Sequence, residues 1–177
     1  MAKKTSSQLD REINSALSGN FKYADADIER MFKKSGSKGT IGDHNKTVVA
    51  ILGDDPLYTR RFKMPKWNIQ PTALTSTDVA IRHWNELGVP TSKSAHAQRA
   101  DHFRDLKQRF DAEHSRLISE GERLYGKNGS LIAGGFREDW PAAIKDRIRF
   151  VASGSGILSD AVRLHDALSK TRSPVFR

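Results

Sequence analysis

Residues Phe103–Leu124 read FRDLKQRFDAEHSRLISEGERL. Phe103, Phe110, Leu117 and Leu124 recur every seven residues, and Leu106 follows the first by three. Side chains at that spacing return to one side of an α-helix, so the stretch writes a narrow apolar seam of coiled-coil type. Glu113 and Glu120 stand at the alternate seam positions and interrupt it with charge. The spacing predicts one long helix over about 94–125. Its flanks carry Arg104, Asp105, Lys107, Arg109 and Asp111, which suit a solvated helix face. The seam has two uses open to it. It can build the chain's own core, or it can meet a partner or a second copy through Phe103, Phe110, Leu117 and Leu124.

Downstream, Lys127-Asn128-Gly129 is turn chemistry, and Asp139-Trp140-Pro141 opens a helix with proline near its first turn. Ile144, Ile148 and Val151 give that helix an apolar face. Ser153-Gly154-Ser155-Gly156 is expected to break it, leaving Ile157, Ala161, Leu164 and Leu168 on a separate last helix. Residues 171–177 read as a frayed basic tail.

Upstream, Thr5-Ser6-Ser7-Gln8 has the form of a capping box ahead of Leu9, Ile13, Ala16 and Leu17. A second helix is expected from Asp25 to Lys34. Acids stand in its first turns and lysines at its end, as the helix dipole favours. Its face is Ile28, Met31 and Phe32. Another helix starts at Ser76 or Thr77 and runs through Val79, Ala80, Trp84 and Leu87 to Gly88 and Pro90. Between them, Thr47-Val48-Val49-Ala50-Ile51-Leu52 is a β-branched run that reads as a strand. Gly53-Asp54-Asp55-Pro56 would turn it back along Leu57–Lys63. The expected fold is therefore mainly α, with about six helices and a small β-hairpin at about 47–63. It forms a single domain over 1–177, with a basic loop or hairpin insertion at about 35–72.

Composition narrows the function classes. The 177 residues contain no cysteine, which removes disulfides, thiolate metal sites and cysteine nucleophiles. No stretch reaches the ~20 apolar residues of a membrane span, so a cytoplasmic protein without a membrane partner is expected. The formal net charge is +9, and it is unevenly placed. Residues 30–66 hold nine Lys and Arg against three Asp, a local excess of six. Residues 91–126 hold seven basic and six acidic side chains and are nearly balanced. The basic span ends in Arg60-Arg61-Phe62-Lys63-Met64-Pro65-Lys66-Trp67, where aromatics stand among cations. Lys and Arg neutralise phosphates through a salt-sensitive term, and unpaired bases stack on aromatic rings. Arg60, Arg61, Phe62, Lys63, Lys66 and Trp67, supported by Lys33, Lys34 and Lys38, are the candidate nucleic-acid-binding residues.

Other constellations carry less. Asp43-His44-Asn45, with Asn68 and His83 further on, resembles the HNH nuclease pattern. The resemblance implies His44 as general base and Asp43 and His83 as ligands of a divalent ion that polarises the scissile phosphate. The gap from His44 to Asn68 is long for that family, and no cysteine pairs brace the motif. Ile148–Ile157, read as strand, glycine loop and helix, would cradle a phosphate, but it lacks the P-loop lysine. Asp54 and Asp55 are ordinary turn acids as well as a pair of carboxylates. His96, His102 and His114 lack the spacing that puts two ligands on one helical face, so they are expected to be solvated or capping.

The sequence thus points to a small basic binding protein, not an enzyme, acting on nucleic acid or a nucleoprotein complex without a cofactor or metal. The alternatives are a protein-binding adaptor or inhibitor that uses its helical surface, and a divalent-metal-dependent nuclease on the HNH-like residues.

Overall fold

The computed structural model describes residues 5, 7, 8, 11, 22–36, 41–53 and 92–170. Those residues are mainly helical and include no strand. Among the described residues four α-helices have both ends defined: α1 Ala26–Ser35, α2 His44–Leu52, α3 Lys93–Tyr125 and α4 Ala142–Lys170, with a 3₁₀ turn at Ile41–Asp43. None is long and apolar enough to cross a membrane. The chain packs as two compact units, one of Met1–Thr47 with Arg109–Ser153 and one of Val48–Gln108 with Gly154–Arg177.

α1 has well-defined ends. The Asp25 carboxylate accepts from the backbone N–H of Asp27 (2.9 Å) and Ile28 (3.3 Å), closing the N-terminus. Gly36 stops the helix at φ +58°, and its N–H returns to the Lys33 carbonyl. Ile28 is fully buried, and Met31 and Phe32 are half-buried on the same face. At the chain start, Gln8 Oε1 accepts from the Thr5 N–H at 3.1 Å, one half of the expected capping box. The helix expected over 76–87 and the tail at 171–177 lie outside the described residues.

The hairpin is corrected at its first strand, because Thr47–Leu52 is the body of α2. On this helix Val48, Ile51 and Leu52 fall at i, i+3 and i+4 and are buried, while Val49 is exposed. A short apolar run of this kind fits either structure, and burial on one helical face overrides the β preference of valine. Thr47 accommodates the helix by donating its hydroxyl to the Asp43 carbonyl (3.1 Å). The return strand expected at 57–63 lies outside the described residues.

α3 begins one residue ahead of expectation. Ser92 caps it, accepting the Ala95 N–H on its hydroxyl at 3.0 Å. Phe103, Phe110 and Leu117 have no exposure at all, Leu106 is buried and Leu124 is half-buried. The seam therefore packs within the chain. Within the chain, the rings of Phe103 and Phe110 and the Leu117 side chain are fully covered.

α4 runs unbroken from Ala142 to Lys170, so the expected interruption at Ser153–Gly156 is also corrected. The reason is register. Ile144, Val151, Leu158 and His165 are spaced by seven and all buried, and Gly154 is buried on the same stripe. A glycine pair lowers helix stability by ~1 kcal/mol per residue, which burial of a continuous stripe outweighs.

The connector between α3 and α4 is tightly organised. An isolated antiparallel bridge joins Leu131 and Arg137, and Ile132 N–H donates to the Phe136 carbonyl at 2.8 Å. Phe136 and Trp140 are buried, and the Trp140 indole N–H donates to the Gly126 carbonyl at 3.2 Å. Gly121 in α3 is required by that indole. A Cβ added there would stand 2.3 Å from a Trp140 ring carbon.

Candidate functional site

Of the nine candidate nucleic-acid-binding residues, Lys33 and Lys34 are described. Lys38, Arg60, Arg61, Phe62, Lys63, Lys66 and Trp67 lie outside the described residues. Lys33 and Lys34 occupy the last turn of α1, where their charge complements the carbonyl end of the helix. Both are exposed. The Lys33 ammonium pairs with Glu29 at 3.0 Å, and that lysine holds the Glu29 carboxyl below its ordinary range. Arg30 on the same helix is exposed and pairs with Asp27.

The HNH-like residues are only partly described. Asp43 closes the 3₁₀ turn, and its carboxylate accepts from the Lys46 ammonium at 3.2 Å. His44 is the exposed first residue of α2. Asn68 and His83 lie outside the described residues, as do Asp54 and Asp55. Among the described residues no group of three or more His, Asp or Glu is placed to hold a metal ion. The phosphate-cradle reading of Ile148–Ile157 is overturned. The whole segment is helix interior, so its backbone N–H groups are committed to the i−4 carbonyls.

The structure instead gathers polar side chains that the sequence did not connect. In the first unit, Arg109 on α3 reaches the α1 cap. Its Nε donates to Asp25 Oδ2 at 2.6 Å, and its Nη2 donates to Asp25 Oδ1 at 2.8 Å and to Asp27 Oδ2 at 2.7 Å. The Arg109 bonds hold the Asp25 carboxyl below the usual carboxylate range, with the backbone N–H of Ile28 adding to the effect. One turn further along α3, Glu113 is 3% exposed. It accepts from Arg116 and from the Ala24 N–H (3.2 Å), so a carboxylate in the seam is fully engaged. Arg116 also bonds Glu120 at 2.6 Å and the Lys22 carbonyl at 2.9 Å. The Glu113 bond raises the Arg116 guanidinium above its ordinary range. The two charged positions that interrupt the seam are thereby joined by one arginine.

Beside this network, the Arg147 guanidinium lies over the Tyr23 ring at 4.7 Å and over the Phe32 ring at 5.6 Å. Edge-to-face contacts continue from Tyr23 to Phe32 and from Phe32 to Phe150. Burial raises the Tyr23 phenol well above the ordinary tyrosine range, so this hydroxyl stays protonated at neutral pH. The stacked guanidinium packs against both rings.

The second unit holds one polar pair of note. His96 is buried, not solvated, and its Nδ1 lies 3.0 Å from the Nδ1 of His165 on α4. For this contact one imidazole must donate its Nδ1–H and the other accept it. Phe103 packs on His165 with ring centroids 5.6 Å apart. His102 is exposed, and the half-buried His114 contacts the Gly134 carbonyl at 2.7 Å through Nε2. His165 was missed because it sits on an apolar stripe. Its seven-residue spacing from Leu158 is the signal that could have found it.

Comparison with protein-family models, curated proteins and solved structures finds no match for this chain.

Proposed function

We propose that the chain is a small basic binding protein that grips a polyanion, either nucleic acid or a nucleoprotein complex, and does no chemistry on it. The single observation that carries this reading is the concentration of charge. Nine cations stand against three acids over residues 30–66, an excess of six within 37 residues, two-thirds of the chain's net +9. The nearly balanced stretch from 91 to 126 shows that basicity is not a general property of this composition. On α3 cations face acids in named pairs, as Arg104–Asp166, Arg109–Asp25 and Arg116–Glu113 illustrate. In the basic span nine cations stand against three acids, and among the described residues Arg30 and Lys33 find Asp27 and Glu29 just outside it while Lys46 finds Asp43. Cations at that density favour phosphates, with counterion release as the driving term. Phe62 or Trp67 would add stacking on unpaired bases.

The test is fluorescence anisotropy with labelled single-stranded and duplex oligonucleotides across a salt series. Binding is expected at low salt, with the logarithm of the affinity falling linearly as the logarithm of salt rises. Replacing Arg60, Arg61, Lys63 and Lys66 together by glutamine should weaken it and flatten that slope. The reading is lost if low salt gives no binding, or if the fourfold variant binds as well as the parent.

A further inference from the structure

α4 contains Ser153-Gly154-Ser155-Gly156 without a break in its helical structure. Four consecutive residues of poor helix propensity in the interior of a 29-residue helix call for a cause. The two glycines differ in what their surroundings explain. Gly154 is buried on the apolar stripe between Val151 and Leu158. Gly156 is exposed, and a Cβ added there meets nothing within 4 Å. Its backbone is not left-handed, so conformation does not require glycine either. Alanine would fit Gly156 and would strengthen the helix. Neither packing nor backbone geometry accounts for the residue. Its remaining physical consequence is a turn that opens easily.

We infer that Ser153–Gly156 is a conformational weak point of α4, a turn that opens and recloses while the flanking helix stays formed. The carbonyls of 153–156 accept from the N–H groups of Ile157, Leu158, Ser159 and Asp160 in the helical ladder. Those four amides report the opening. The flanking segments hold the stripe in place on either side, through Ile144, Ile148 and Val151 before it and Leu158, Ala161 and Leu164 after it. The opening is therefore local and does not spread along the helix.

Native-state amide hydrogen exchange on the full chain, resolved to single residues by NMR, tests this. Amides 157–160 should exchange at least about tenfold faster than amides 146–150 and 163–167, after correction for intrinsic rates. Gly156→Ala should slow them about fivefold, the size expected for a glycine-to-alanine change in a helix interior. It should leave the flanking amides alone. Uniform protection along α4 in the parent would overturn the inference. So would fast exchange at 157–160 that Gly156→Ala does not change, since the glycine would then not be its source.

Discussion

The two compact units differ in how much charge is built into their described cores, while both are packed on apolar side chains and both carry arginine–carboxylate pairs, Arg104–Asp166 in the second. In the unit of Met1–Thr47 with Arg109–Ser153, charged side chains are built into the packing. Arg109 spans Asp25 and Asp27, Arg116 joins Glu113 and Glu120, and Arg147 lies over Tyr23 and Phe32. In the unit of Val48–Gln108 with Gly154–Arg177, the described core is aliphatic and aromatic. Val48, Ile51, Leu52, Ala100, Phe103, Leu106, Leu158 and Ala161 are buried, and the His96–His165 contact is the buried polar pair among the described residues. The difference teaches where specificity resides. Apolar packing tolerates substitutions that keep volume, whereas a bidentate arginine fixes one geometry and penalises its loss.

The largest effects should come from the aromatic cores, where the two units should respond alike. Phe103→Ala in the second unit and Phe110→Ala in the first each remove a fully buried ring. Each should cost about 3–5 kcal/mol in urea denaturation. A loss under about 1 kcal/mol in either would mean that its surroundings collapse into the space, and that unit's core would be looser than its burial implies. Gly121→Ala belongs just below. The new methyl would meet the buried Trp140 ring, and displacing it should cost about 1–3 kcal/mol.

The comparison separates at Glu113. Glu113→Gln keeps the shape but removes the charge that Arg116 and the Ala24 N–H engage. Hydrogen bonds to charged groups contribute about 1.5–3 kcal/mol when buried, so a loss toward the lower end is expected here, because Arg116 is about one-third exposed. If Glu113→Gln were neutral, the polar network would be incidental and the two units would be alike after all.

Much of the architecture was legible because it depends on local rules. α1 was marked by acids in its first turns and lysines at its end, and α3 was written in its seven-residue repeat. The misreadings have a common cause in local signals overruled by packing. Val48 and Val49 favour a strand in isolation, and Gly154 and Gly156 favour a break, yet each segment has a face that is buried as helix. The polar network could not be read at all. Asp25 and Arg109 are 84 residues apart, and Ala24 and Glu113 are 89 apart, so no spacing rule relates them. Of the candidate site, α1 supplies two lysines whose position was foreseen. The core of the proposed surface rests on charge density alone.

Asp25 gives the comparison a pH axis. Asp25→Asn keeps a good cap, because asparagine caps nearly as well as aspartate, but it loses the charge facing Arg109. A loss of about 1 kcal/mol at pH 7 is expected, given that Arg109 is over one-third exposed. The Asp25 carboxyl is held below its ordinary range in the folded protein. Its contribution is therefore complete above the unfolded value near pH 4 and disappears as pH falls through the folded value. The stability gap between parent and Asp25→Asn should be constant from pH 7 to about pH 5 and close below pH 4. A gap that persists at pH 2 would assign the loss to packing and not to charge.

The smallest effect on stability should accompany a clear effect on binding. Lys33 is 69% exposed in its pair with Glu29, and such surface pairs often contribute nothing measurable. Replacing Lys33 and Lys34 by glutamine should lower the urea midpoint only slightly, through the lost helix-end charge, while clearly weakening oligonucleotide binding. If both lysines meet phosphates, the slope of log affinity against log salt should fall by about 1.8 on duplex DNA, or 0.9 per contact removed. The first unit would then use its cations in two ways. Arg109 and Arg116 stabilise the fold through acids of the same chain, and the two lysines contribute little to stability and act on the ligand. A variant that loses stability without changing the slope would place Lys33 and Lys34 with the structural cations, and the ligand surface would have to begin further along the basic span.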